Sequence, residues 1–167
     1  MPSTTVQSLS RATTATFEEL ALLVPEHDLS LAQAAAPLDV AVSVEFRGPL
    51  RGRLVLRASS TILPVIAANM LGDDASRQRN LQRDALGEIA NVICGNVLPV
   101  IAGVEAVFHL SAPHVHEEIE DVSRDVDVPS ARIMFGVEDG RAEAVLYLFG
   151  ACEGAELVSR HDAERAA

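Results

Sequence analysis

The chain has 167 residues and a formal net charge of −11, with no Trp and a single Tyr. No Lys/Arg cluster offers a footprint for a phosphate backbone and no aromatic stacking platform is present, which argues against nucleic acid and anionic membrane surfaces as partners. The length suits one domain that buries about two-thirds of its unfolded surface. The start Met1-Pro-Ser-Thr-Thr shows no basic segment followed by an apolar one. No uninterrupted apolar run approaches the ~18 residues of a membrane helix, so a soluble, cytoplasmic protein is expected. Cys94 and Cys152 match no metal or redox spacing, and Cys94 beside apolar positions reads as a small hydrophobe.

In chain order, residues 13–24 are expected to form a short helix. Thr16 and Glu19 have capping-box spacing, Phe17, Leu20 and Leu23-Val24 repeat at helical period, and Pro25 stops it. Residues 26–37 read as a loop or linker whose alanine-rich middle has room for another helical turn. The period then changes to 2: Val40, Val42, Val44 and Phe46 alternate with Asp39, Ala41, Ser43 and Glu45, the pattern of a half-buried strand. Arg47-Gly-Pro-Leu50 supplies a turn, and Gly52-Arg-Leu-Val-Leu-Arg57 returns as a second strand. A helix over 61–71 tolerates Pro64 in its first turn.

After Gly72-Asp-Asp, a long helix is expected from Ser76 to about Ile101, closed by Gly103, with Pro99 bending it or ending its regular part. Residues 105–110 resemble a third strand, followed by a Ser111-Ala-Pro113 corner; 114–129 read as a strand plus loop or a mobile excursion. Residues 131–137 and 142–149 flank Glu138-Asp-Gly140, a hairpin signal. Beyond Gly150 the chain is charged and alanine-rich, a terminal helix or frayed tail. Helices separating hairpin-joined strands imply an α+β domain: a largely antiparallel sheet of about five to six strands covered by two or three helices.

The long helix carries the most informative pattern. A helix turns by about 100° per residue, so Asp84, Glu88, Asn91 and Gly95 share one face, each one turn above the last. Leu86, Ile89, Ala90, Ile93, Val97 and Val100 form the apolar stripe opposite. Asn costs about 0.5 kcal/mol against Ala inside a helix, so nothing in helix building asks for it at 91. A carboxylate one turn before a carboxamide, with a glycine clearing space beyond, suits a face that touches a partner.

These residues resemble the signature of the CheC/CheX/FliY chemotaxis phosphatases: Asp or Ser, three residues, Glu, two residues, Asn, then twenty-two residues and Pro. Here 21 residues separate Asn91 from Pro113, a departure by one. The resemblance extends to Phe46-Arg-Gly-Pro-Leu-Arg-Gly52 and to Asn91-Val-Ile-Cys-Gly-Asn96, and spans roughly 37–150. It implies three parts: an N-terminal helix and linker (1–36), a CheX-like domain (37–150) and a C-terminal tail (151–167). The N-terminal helix has Glu18 and Glu19 but no Asn three positions on, so one motif copy is present and the CheX branch, whose members are homodimers sharing a sheet edge, is the nearer likeness.

The activity so implied is removal of the phosphoryl group from the aspartate of a phosphorylated, CheY-like response-regulator receiver. Phosphoryl transfer asks for in-line geometry and charge neutralisation more than covalent help. The receiver supplies the acyl phosphate, a Lys and a Mg²⁺, so no cofactor is expected on this chain. Asn91 would orient the attacking water, since a carboxamide both donates and accepts. Glu88 would pair with the receiver's Lys and set the docking register. Asp84 would flank the site, Gly95 would let the partner backbone approach, and Pro113 would shape the loop beside the helix. Half a site of this kind implies no deep ligand pocket lined by Glu88 and Asn91.

Other patterns compete. If 114–118 is extended, His114, His116 and Glu118 share a face with the composition of a two-histidine, one-carboxylate metal site; a solvated loop is the plainer alternative. Ser10, Ser59, Ser60 and Ser111 lie in no nucleophile elbow, and there is no GxGxxG or Walker loop. A non-catalytic dimeric adaptor that binds a receiver or another signalling protein fits the acidic surface equally well. A flagellar-switch component like FliY fits less well, since no extra C-terminal domain is present.

Overall fold

A computed structural model describes residues 3–117 and 128–150. Among these residues four α-helices lie with a six-stranded antiparallel sheet, the α+β arrangement that the alternating periods imply. The strands are β1 (Val40–Arg47), β2 (Gly52–Ala58), β3 (His109–Leu110), β4 (His114–His116), β5 (Ala131–Val137) and β6 (Gly140–Leu148). Their order is β3-β1-β2-β6-β5, with β4 also pairing β1. The β1/β2 hairpin pairs Val42 with Leu56 and Phe46 with Gly52. The β5/β6 hairpin closes at Val137 opposite Gly140, with Glu138 at φ 52° in the two-residue turn.

One face of the sheet carries Val42, Val44, Phe46, Leu54, Leu56, Ala144, Leu146 and Phe135 into a single core with the helices. The other face is not simply solvated. Ala41, Val55, Val145 and Tyr147 form a second buried cluster there, so β1 is more fully buried than its alternation suggests. Beside them, Glu143 is buried between Arg57 (3.6 Å) and Arg132 (3.4 Å).

Helix α1 (Thr4–Glu19) begins nine residues before the expected 13–24 helix (4 against 13) and ends earlier. Ser3 is its N-cap, accepting from the Val6 N–H at 3.2 Å. Thr16 is no cap: it is buried within the helix, and its hydroxyl donates to the Ala12 carbonyl at 2.7 Å. The early turns carry a weak apolar signal because Leu9 shares their inward face with Ser8, Ala12 and Thr13. The helix packs on α4 and β5, where Phe17 meets Phe135 edge to face at 5.0 Å. The alanine-rich linker holds α2 (Leu31–Ala35), entered by a Ser30/Gln33 capping box. Just upstream, Glu26 bridges Gly136 at the outer edge of β5.

A 3-10 turn (Ser60–Ile62) leads into α3 (Leu63–Leu71), with Pro64 in its first turn as expected. A second 3-10 turn (Asp73–Arg77) takes up the start assigned to the long helix, and α4 runs Arg79–Ala102 to its Gly103 cap. By length and composition α4 is apolar enough to cross a membrane, but half of its most apolar stretch is buried in the protein.

Pro99 does not end α4: the helix continues to Ala102, and the Gly103 N–H closes on the Pro99 carbonyl at 2.9 Å. Proline removes the donor that would have met the carbonyl of Gly95, an exposed residue. Residues 105–110 give a strand only at His109–Leu110. The chain from 114 is extended through β4, while 118–127 and the 151–167 tail lie outside the described residues.

Phe17 sits at the junction of α1, α4 and the sheet with no exposed surface. Phe17→Ala is expected to lower unfolding free energy by about 3–5 kcal/mol. Urea denaturation checks this, and a loss below about 1 kcal/mol, well short of what a filled aromatic site gives up, would refute the packing role.

Candidate active site

The site is one side of α4, and the helix's burial decides which. Leu86, Ile89, Ala90, Ile93, Cys94, Val97 and Leu98 are buried against the core. That fixes the helix's rotation, and Asp84, Glu88 and Gly95 emerge exposed while Asn91 is half-buried. The four residues expected to share a face do so. Val100, expected in the buried stripe, is 66% exposed. With Thr4, Gln7, Arg11, Ala12 and Ala15 of α1 it lines a surface groove between the two helices, while the next residue, Ile101, packs on the core.

Among the described residues, no hydrogen bond or ion pair engages the side chains of Asp84, Glu88 or Asn91. A cap, by contrast, would have held Asn91 to the backbone. Two hydrogen-bonding groups one turn apart are therefore held by a rigid backbone and left open to an incoming molecule. A Cβ placed on Gly95 would meet nothing within 4 Å, so that position offers open approach. Three surface depressions of about 480–510 Å³ are lined elsewhere, by Arg51 and Phe149, by α1 with Val100, and by Leu22 and Glu138. Neither Glu88 nor Asn91 lines any of the three.

Pro113 follows β3 at an exposed corner, and it packs against Gly87 on α4, next to Glu88. A place for Pro113 in a loop beside this helix is as expected; its seat on Gly87 was not visible, because a glycine's empty side is known only when something fills it.

The competing histidine cluster is partly formed. His114 and His116 stand on β4 with ring centroids 4.8 Å apart, and the His116 Nε2 is 2.7 Å from the Ser43 hydroxyl. Glu118 lies outside the described residues. Among those described, no three His, Cys, Asp or Glu side chains gather as a metal site would require.

A sheet carrying helices, with polar groups presented on an open helix face rather than enclosed, defines an α+β protein with an open candidate site. The chain belongs to the chemotaxis phosphatase CheX family, whose model matches residues 40–136. The fold is similar to CheX of Vibrio vulnificus at 18% identity and a TM-score of 0.66, covering 87% of this chain and 97% of that one. It is also similar to CheX of Desulfovibrio desulfuricans, at 18% identity and a TM-score of 0.63, covering 86% and 98%. A third likeness is to the Borrelia burgdorferi CheX-CheY-BeF3-Mg+2 complex structure, at 16% identity and a TM-score of 0.58, covering 86% and 96%. No curated protein matches the sequence.

On the inner side of α4, burial pushes the Cys94 thiol up from 9.0 to about 12. The folded thiol thus keeps its proton where the unfolded one has lost it. The unfolded chain binds fewer protons in that window, so Cys94's contribution is whole below pH 9 and lost as pH rises toward about 12. In a Cys152→Ala background, Cys94 is expected to resist iodoacetamide at about pH 8 without denaturant and to react fully in urea, since only the thiolate attacks. Native-state labelling at the rate of a free thiol would contradict its burial.

Proposed function

We propose that this protein dephosphorylates a CheY-like response-regulator receiver, acting as a protein aspartyl-phosphate phosphatase. The observation that carries the reading is the Glu88–Asn91 pair: two polar side chains one turn apart on a rigid helix, with no partner among the described residues, in a chain of the CheX family. The Borrelia relative was solved with CheY, BeF3 and Mg, which supports a receiver as the kind of partner.

In this reading a receiver docks on α4. The Asn91 carboxamide enters beside the acyl phosphate and holds a water in line with the aspartyl leaving oxygen. The water attacks phosphorus, the bond to the aspartyl oxygen breaks, and inorganic phosphate and a free carboxylate leave. Glu88 pairs with the receiver's active-site Lys, fixing the register in which Asn91 enters. Asp84 flanks this contact and Gly95 leaves room for the partner's backbone. Mg²⁺, when bound to the receiver, neutralises charge developing on the transferred group. In this reading the metal arrives with the receiver.

The test is phosphate release from phosphorylated receivers encoded beside the source gene. Wild type should accelerate release, and Asn91→Ala should reduce the rate about 10²-fold or more by losing water orientation, while receiver affinity stays within a few-fold. Chelation of Mg²⁺ should stop turnover without shifting this protein's melting temperature. Binding without acceleration by any receiver would favour a non-catalytic adaptor instead.

A homodimer is part of the same proposal. The β5 edge has only the Glu26–Gly136 bridge against it, leaving Ala131 to Phe135 without a strand neighbour on that side among the described residues. Such an edge is a template for pairing. Sedimentation equilibrium should give twice the chain mass, and a monomer at tens of micromolar would count against pairing.

A further inference from the structure

Gly87 is buried on α4, and the space where its side chain would stand is already occupied. A Cβ there would lie 2.9 Å from the Cβ of Pro113 and 3.4 Å from its Cγ. Real carbon pairs rest at about 3.5–4.0 Å, so only glycine admits the corner this closely. From the other side the corner is tied to β1. The Ser111 N–H donates to the Glu45 carbonyl at 2.8 Å, and the Glu45 N–H donates to the Ser111 hydroxyl at 3.0 Å. Pro113 is therefore held between a strand and a helix, so crowding at Gly87 must displace the corner against its hydrogen bonds to β1.

The position of this clamp matters. Gly87 is four residues before Asn91, hence its neighbour one turn below, and it adjoins Glu88 in sequence. The corner thus stands beside the open face, with Ala112, Pro113 and His114 all exposed.

We propose that the Gly87–Pro113 contact is a positioning element that sets the distance between this corner and the Glu88/Asn91 face. The corner is then a second wall against which the receiver seats, its exposed residues meeting the partner backbone beside the acyl phosphate. Gly87 touches no reacting atom and acts through Pro113. The inference rests on the receiver reading above.

Two variants test it, Gly87→Ala and Ala112→Arg. The first pushes the corner away from α4; alanine is the better helix former, so part of the lost packing is offset. The second adds bulk and charge at an exposed tip, leaving the clamp intact. For both, KM for phosphorylated receiver should rise about tenfold with kcat within threefold, the signature of lost docking. Titration with beryllofluoride-loaded receiver should show the same loss of affinity, with melting temperatures within a few degrees of wild type.

If Gly87→Ala lowers melting temperature and kcat while Ala112→Arg matches wild type, the contact is merely structural and the proposal is overturned. Unchanged KM in both variants overturns it too. Should wild type bind receiver without accelerating phosphate release, the phosphatase reading fails alone, and the affinities still decide the role of the corner. Absence of receiver binding by wild type removes both.

Discussion

The rotation of α4 about its own axis is the constraint on which the site depends. Leu86, Ile89, Ile93 and Val97 point into a core closed by Val42, Val44, Leu54 and Leu56 of the sheet and by Leu9 and Phe17 of α1. Turning the helix by one residue would swing about 100° of its surface, exposing the stripe and burying Glu88 without a partner. Each apolar side chain at stake is worth about 1.5–3 kcal/mol on burial, and an unpaired buried carboxylate is costlier still. The direction of Glu88 and Asn91 is therefore set by residues on the far side of the helix.

That coupling explains which features are legible in the sequence. The strand pair around Phe46 to Gly52 and the β5/β6 hairpin follow from period and turn residues alone, because local chemistry suffices for both. The polar face of α4 is legible because apolar and polar positions separate cleanly around the helix. The start of α1 is not, since Leu9 shares its inward face with Ser8, Thr13 and Thr16 where a stronger pattern would have more Leu or Val. Nor is the fate of Val100, which opens into the groove between α4 and α1. The seat of Pro113 on Gly87 is a contact across 26 positions of sequence (113 less 87), with no periodic signal to announce it.

The sheet's second face shows the same limit. Strict alternation on β1 suggests a polar, wet side, but Ala41 and Ser43 are buried there, as are Val55 and Val145. Glu143 lies among them within reach of Arg57 and Arg132. Opposite charges let a carboxylate remain where an isolated one would not. Register is the physical reason for the meeting: Arg57 stands directly across from Glu143, a pairing that depends on where the hairpins fall.

An open face has a consequence for rigidity. Groups in a deep pocket are held by the walls around them, whereas Glu88 and Asn91 have no hydrogen bonds to hold their side chains among the described residues. What order they possess comes from the backbone of a 24-residue helix anchored along its length. Side chains so placed retain rotamer freedom, and ordering them against a docking partner would cost about 0.5–1.5 kcal/mol each. A second rigid feature next to the helix reduces the burden on those two residues, because it limits the approaches a partner can make before either side chain is engaged. The Pro113 corner suits that role. It is fixed to β1 through two hydrogen bonds and to α4 through Gly87, so both edges of the approach move with the same core.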